Sequence, residues 1–195
     1  MKAIFAGIRA GLADVGATLV GGHSEITTAV TQRIVSGVML GVSQTHDFVS
    51  TAGARPGDVL VHVGLAPIDG AAVLAVEPAA RLRGVDPRIV DAAAAAIEQP
   101  GISVVDAALA AAELGATALH DPTEGGTAAG LHELAMASDV RLRIDGTRLL
   151  WFEQGLALCA ALGADLTAAL ASGSLLATFD AADARVALEA LRARG

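Results

Sequence analysis

The stretch Leu119-His120-Asp121-Pro122-Thr123-Glu124-Gly125-Gly126-Thr127-Ala128-Ala129-Gly130 predicts a strand, a tight glycine-rich turn and a helix in direct succession. The short apolar run Thr117-Ala118-Leu119 precedes the turn. A helical pattern follows it, with Leu131 and Leu134 on one face and Glu133 on the other. Such a turn gathers free backbone N–H groups and the positive end of a helix dipole at one point, which attracts phosphate or another anion.

Two interpretations of this turn are open from its residues alone. In the first, Asp121 and Glu124 stand beside an anion site, and carboxylates next to phosphates usually need a bridging cation such as Mg²⁺. In the second, the segment is an ordinary strand-to-helix turn with Thr123 or Thr127 as the helix cap, and the two acids are simply solvated.

Composition indicates one sizeable domain, or one domain with a fragment of another. The chain has 195 residues, of which 53% are hydrophobic and only 17% are charged, and this excludes a disordered protein. Mean hydropathy is high, at +0.57. The longest uncharged stretch, residues 166–179, is nevertheless too short to span a membrane. Arg9 and Asp14 interrupt the apolar N-terminus, so it fits an amphipathic helix better than a secretory signal.

Charge and cysteine usage exclude several classes of function. The net charge is −8 and there is no basic stripe, which argues against nucleic acid as a partner. Cys159 is the only cysteine, so no internal disulfide forms, and we expect a protein of the reducing cytoplasm. Lys2 is the only lysine, which excludes a P-loop or Schiff-base lysine, and no Cys/His spacing suggests zinc.

Helical and strand patterns alternate along the chain, which predicts an α/β or α+β fold. A linker is predicted over residues 45–57, and His62 and His132 are interpreted as structural residues of a strand and a helix surface. Helices are predicted over residues 3–16, 67–76, 89–97, 104–114, from the turn to about 138, 149–162 and 181–194. Strands are predicted over residues 18–20, 33–42, 58–63, 117–119, 140–145 and 174–179.

Four stretches, taken in order, resemble one known family. His120-Asp121-Pro122-Thr123-Glu124-Gly125-Gly126 is similar to a signature of the aminoimidazole ribonucleotide synthase (AIR synthase), HypE and selenophosphate synthetase superfamily. The other three stretches are Leu19-Val20-Gly21-Gly22-His23-Ser24-Glu25-Ile26-Thr27, Ala54-Arg55-Pro56-Gly57-Asp58-Val59-Leu60-Val61 and Ala171-Ser172-Gly173-Ser174-Leu175-Leu176. The Glu124 form of the turn resembles HypE and the AIR synthase-related proteins more than selenophosphate synthetase or thiamine-monophosphate kinase.

The resemblance implies a fold and a domain organisation. Residues 45–195 resemble the AIR synthase C-terminal domain, a mixed sheet packed with helices. Residues 1–44 resemble a remnant of the N-terminal ATP-binding domain. The acidic, Gly-Asp-containing nucleotide motif of that domain has no counterpart, and the last C-terminal strand also lacks one. We therefore expect a chain shortened at both ends, as a fragment, a shortened gene product or one piece of a split protein.

The resemblance also implies an ATP-dependent enzyme with Mg²⁺, in which phosphoryl transfer activates an oxygen on a small or carbamoyl-type substrate. A homodimer, or association with a missing N-terminal half, would complete the site, and ATP affinity of the isolated chain should be weak or absent. The alternative is a non-catalytic binding or regulatory remnant of the same fold.

Candidate site residues follow from the resemblance and fall into three roles. Asp121 and Glu124 are candidate metal ligands. The candidate catalytic residues are Asp121, Glu124, His23 and Glu25. The candidate cofactor-binding residues are Gly21, Gly22, Ser24, His120, Thr123, Gly125, Gly126 and Thr127. For His23 the simpler role is a turn histidine bonded to backbone, and for His120 a ring bonded to a neighbouring carbonyl.

Overall fold

The computed structural model describes residues 2–42 and 48–194. The chain divides into two units, residues 1–46 and 47–195, and each is described by itself. The domain boundary expected between residues 44 and 45, and His46, lie outside the described residues.

The first unit contains one helix, α1, over Lys2–Asp14. Gly16 follows it with a φ of +66°, as expected for a helix stop, so the predicted N-terminal helix is confirmed. Residues 15–42 form no strand, and the strands predicted over residues 18–20 and 33–42 are wrong. The physical reason is that a strand needs a hydrogen-bonded neighbour, and residues 2–42 provide none. Their apolar side chains are accordingly exposed, Val20 by 90% and Val42 by 97%.

The second unit is built on a three-stranded antiparallel sheet in the order β1-β3-β2. The strands are β1 (Val59–Val63), β2 (Ala118–His120) and β3 (Leu175–Phe179), and they confirm three of the strand predictions. In the register, Val59 lies opposite Phe179 and Ala118 lies opposite Thr178. All five residues of β3 are buried because this strand has a neighbour on each side and helices on both faces.

Helices cover both faces of this sheet and form a further cluster beside it. They are α2 (Ile68–Val76), α3 (Pro78–Leu82), α4 (Pro87–Ala95), α5 (Val105–Glu113), α6 (Gly126–Ala137), α7 (Glu153–Leu162) and α8 (Ala184–Ala193). Apolar residues of α5 and α8 pack with Phe179 on one face, and Leu134 of α6 packs with Leu176 on the other. Helices α2, α3, α4 and α7 share a separate apolar cluster. The predicted α/β class is therefore confirmed.

The strand predicted over residues 140–145 does not form. Its alternation is partly real, because Val140 and Leu142 are half-buried while Arg141 and Arg143 are exposed. However, the described residues offer the segment no ladder partner, and amphipathic alternation alone does not make a strand.

The predicted linker is wrong over residues 50–54, which belong to the folded unit. The Leu119 N–H donates to the Ser50 carbonyl at 3.4 Å, and the Thr51 hydroxyl donates to the Leu119 carbonyl at 3.0 Å. The Ala54 N–H donates to Ser138 Oγ at 3.1 Å. These bonds attach the segment to the outer edge of β2 and to the end of α6.

None of the helices in residues 2–42 and 48–194 combines the length and the apolar character needed to cross a bilayer.

Candidate functional site

The organising turn begins where β2 ends, at His120, and leads directly into α6. The chain enters the helix through Gly125 and Gly126, which have φ values of +76° and +66°. Only glycine adopts these angles without steric cost. Gly125 is the N-cap, and no side chain caps the helix, so the expectation of Thr123 or Thr127 as cap is wrong.

The first turn of α6 is closed by protein rather than open to solvent. The Gly126 N–H donates to the Thr123 carbonyl at 3.0 Å, and the Ala128 N–H donates to the Thr167 carbonyl at 2.9 Å. A Cβ added at Gly126 would lie 2.5 Å from the carbonyl oxygens of both Thr167 and Ala169. The observed role of Gly126 is therefore close packing of the helix start against the turn at residues 165–171.

Two of the family-like stretches meet at this point. The Ala171 N–H donates to the Thr123 carbonyl at 3.3 Å, which connects residues 171–176 to the organising turn. The Asp165 carboxylate shapes the intervening turn by accepting from the N–H and the hydroxyl of Thr167, both at 2.8 Å. The sequence order alone did not indicate this junction.

Thr127 faces the interior. Its side chain is 1% exposed, and its hydroxyl has no hydrogen-bond partner among the described residues. In this geometry Thr127 does not reach a ligand in solvent, whereas Gly125 is exposed. Their predicted role in holding phosphate stays a prediction.

Asp121 and Glu124 are both exposed beside the turn. Glu124 Oε2 accepts a hydrogen bond from the Thr123 hydroxyl at 2.7 Å, and this bond lowers the pKa of the Glu124 carboxyl. Glu124 is therefore ionised at neutral pH. Within residues 2–42 and 48–194 no cluster of three or more His, Cys, Asp or Glu side chains is arranged to hold a metal ion. The two carboxylates would thus need water or further ligands to complete a cation site.

His120 is bonded to a carboxylate, that of Glu133, which is not among the candidate residues predicted from the sequence. Its Nε2 lies 2.8 Å from Glu133 Oε2, so this nitrogen carries a proton and donates to the carboxylate. Glu133 lies on α6, and the helical pattern of the sequence placed it only on the solvated face of that helix. The partner of the ring is thus a side chain rather than the backbone carbonyl that the simpler interpretation expected.

The second group of candidates, Gly21, Gly22, His23, Ser24 and Glu25, belongs to residues 1–46. All five residues are exposed and lie in neither helix nor strand. Their predicted role rests on the resemblance alone.

Two polar side chains at β1, those of Asp58 and His62, make hydrogen bonds that the sequence did not indicate. Asp58 Oδ2 accepts from the Arg55 N–H at 2.9 Å and from the Thr117 hydroxyl at 2.6 Å, so this acid of the Arg-Pro-Gly-Asp turn joins β1 to the start of β2. His62 Nδ1 accepts the Leu150 N–H at 3.1 Å. Burial lowers the pKa of His62 from 6.5 to about 4, so the ring is neutral and the interpretation of His62 as structural fits its position.

Comparisons with known proteins agree with the architecture described above. The model of the AIR synthase related protein, C-terminal domain family matches residues 55–195. The carbamoyl dehydratase HypE of Cupriavidus necator is 29% identical over 197 residues, which cover 98% of this chain and 53% of that protein.

Solved structures show the same likeness. A hydrogenase maturation protein HypE in complex with ATP is 25% identical with a TM-score of 0.53, covering 74% of this chain and 40% of that one. Escherichia coli HypE is 23% identical with a TM-score of 0.60, covering 76% and 43%, and is similar in fold. The chain spans about half the length of the curated relative it matches. It belongs to the AIR synthase-related family through the C-terminal domain of that family.

Proposed function

We propose that this chain supplies the C-terminal-domain wall of an ATP-dependent, HypE-like site. At that site, phosphoryl transfer would activate an oxygen on a small or carbamoyl-type substrate. The observation that carries the proposal is the exposed Asp121–Glu124 edge, which the family-matched domain holds at the end of β2. The relatives support it, since one is a carbamoyl dehydratase and another was solved with ATP.

The exposed carboxylates of Asp121 and Glu124 fit the Mg²⁺ of a bound nucleotide. The start of α6 fits the nucleotide's phosphates less well, because protein carbonyls already accept from two of its N–H groups. Carboxylate oxygens are the donors that Mg²⁺ prefers, and it usually keeps several waters besides one or two carboxylates. Mg²⁺ would supply charge neutralisation at the transferring phosphoryl group. Asp121 would hold the ion or orient the acceptor. Glu124 could do the same, because its lowered pKa keeps its carboxylate ionised.

The remaining residues of the proposed site come from residues 1–44, taken as a remnant of an N-terminal ATP-binding domain. By the resemblance, the proposed role of Gly21, Gly22, His23, Ser24 and Glu25 is nucleotide or substrate binding. A homodimer, or association with a separate N-terminal half, would complete the site.

A second candidate function is a non-catalytic binding or regulatory module of the same fold. One observation favours it. The start of α6 is packed against residues 167–169, so the N–H groups of a phosphate-binding helix end are already partly used.

Calorimetric titration of Mg-ATP into the complete chain separates the two functions. The enzyme proposal predicts binding heat that Asp121→Ala abolishes and that Asp106→Ala, a control at an exposed acid of α5, leaves unchanged. Absence of heat in the unmodified chain, with the fold confirmed by circular dichroism, would refute nucleotide binding by this chain on its own. It would favour either the module or a fragment whose site needs the separate N-terminal half.

A further inference from the structure

The outer edge of β1 carries backbone groups that the sheet does not use. The Leu119 backbone bonds outward to Ser50 and Thr51, and strand residues alternate in direction, so Ala118 and His120 bond towards β3. Their partners Thr178 and Leu176 therefore face β2. The backbone groups of the alternate residues of β3, at positions 175, 177 and 179, therefore face β1.

The register then assigns the bonds of β1. Val59, Val61 and Val63 lie opposite the β3 residues that face β1 and bond to them. The N–H and C=O groups of Leu60 and His62 consequently point away from the sheet. Among residues 48–194 the structure shows no backbone partner for these groups. An unpaired edge of this kind is a template for another strand.

This edge opens into a groove of about 620 Å³. It is lined by residues 58–62 of the β1 region, by residues of α8, and by residues 143–145, 148 and 149. Val59 and Ile144 present exposed apolar surface there, and the half-buried Leu188 of α8 also lines the groove. The groove therefore offers apolar contacts beside the open backbone edge.

The lining of the groove has an excess of positive charge in a chain whose net charge is −8. The groove is lined by Arg143, Arg148, Arg185 and Arg192, which are four of only thirteen basic residues. Within the second described range, only Arg185 of these four has an ion pair, with Glu189. Two acids, Asp58 and Asp145, also line the groove, so its lining has four arginines against two carboxylates. Asp58 accepts from the Arg55 backbone N–H and the Thr117 hydroxyl, and Asp145 accepts from the N–H and the hydroxyl of Thr147.

We propose that this groove docks an extended segment of a partner protein, with alternating apolar and acidic side chains, as an additional strand on β1. Main-chain bonds to Leu60 and His62 would provide affinity, and the arginines would select acidic side chains. A small anion would leave the edge groups without regular partners. A second copy docked edge to edge would bring two arginine-lined grooves together, which like-charge repulsion opposes.

Amide hydrogen exchange by NMR on the complete chain tests the proposal. The probe is a capped nine-residue peptide with glutamate at every second position and valine or threonine between. In the free protein the Leu60 and His62 amides should exchange at least about tenfold faster than the Val61 amide, and saturating peptide should slow both by at least about tenfold. Absence of this protection at saturating peptide would overturn the proposal.

Three matched controls identify the interaction. The same peptide with N-methyl groups on alternate residues, and a version with lysine for glutamate, should each bind at least about tenfold more weakly because each lacks one half of the recognition. Arg143→Gln with Arg192→Gln should weaken binding at least about threefold, whereas Arg81→Gln with Arg88→Gln should not. The lysine peptide keeps the test decisive even if the groove variant unfolds.

Two outcomes would replace the proposal by another. Equal binding of the N-methylated peptide, with full displacement by inorganic phosphate, would show an anion site rather than strand addition. Protection of Leu60 and His62 that grows with protein concentration and needs no peptide would show docking of a second copy.

Discussion

Gly126→Ala should destabilise the protein through the packing of α6 rather than through loss of a ligand. Gly126 has a φ of +66°, and its added Cβ would lie 2.5 Å from the carbonyl oxygens of Thr167 and Ala169 and 2.9 Å from the carbonyl carbon of Ala168. The left-handed conformation costs a residue with a side chain about 1–2 kcal/mol. Overpacking against backbone that cannot easily move adds about 1–3 kcal/mol. The expected loss in the free energy of unfolding is therefore about 2–5 kcal/mol.

Gly84→Ala is the matched control because Gly84 has a φ of +75° but open space around its Cβ position. It should lose only the conformational part, about 1–2 kcal/mol. Urea unfolding of the two variants and the unmodified chain measures the difference directly, provided that the denaturant slope is unchanged. If Gly126→Ala lost no more stability than Gly84→Ala, the packing role of Gly126 would be refuted. A stable Gly126→Ala chain that lost Mg-ATP binding would instead support the phosphate-cradle prediction.

Three further predictions concern single residues. In the folded chain the pKa of His62 is about 4, whereas in the unfolded chain it is 6.5. Between these two pH values the unfolded chain therefore binds a proton that the folded chain does not, and falling pH favours unfolding. Lowering the pH from 7 to 5 should therefore cost about 2 kcal/mol of stability in urea titrations, and His62→Gln should lose less over that interval. Leu134→Ala should cost about 2–5 kcal/mol because Leu134 is 0% exposed between α6 and the sheet. Met136→Ala on the same helix is its exposed control, and equal losses would contradict the assigned core. Cys159 is buried, which raises the pKa of its thiol, so a thiol reagent should modify it slowly in the native chain and rapidly in urea; fast native modification would argue against this burial.

Apolar periodicity and glycine or proline punctuation located most elements of residues 48–194. The predicted strands at residues 58–63, 117–119 and 174–179, and the helices between them, depend on short-range patterns that survive in the tertiary structure. The organising turn was placed correctly for the same reason. Its packing was not predicted, since Gly126 lies against residues 167–169, which are far along the chain, and Thr127 is buried.

Patterns failed where the outcome depends on a partner rather than on the segment itself. Residues 140–145 alternate as a strand should, yet no neighbour in the described part of the chain completes a ladder. Residues 50–54 read as a linker but bond to the edge of β2 and to α6. The His120–Glu133 pair joins two positions that no sequence pattern connects, because the turn brings β2 and α6 side by side.

The sequence by itself determined the family, the class of fold and the position of the turn from β2 into α6, because these depend on local residue patterns and their order. Only the tertiary structure decided that the start of α6 is closed by protein, that Asp121 and Glu124 remain exposed, and that β1 has a free edge in an arginine-lined groove. Those properties depend on which distant backbone groups meet, and no local pattern encodes such contacts.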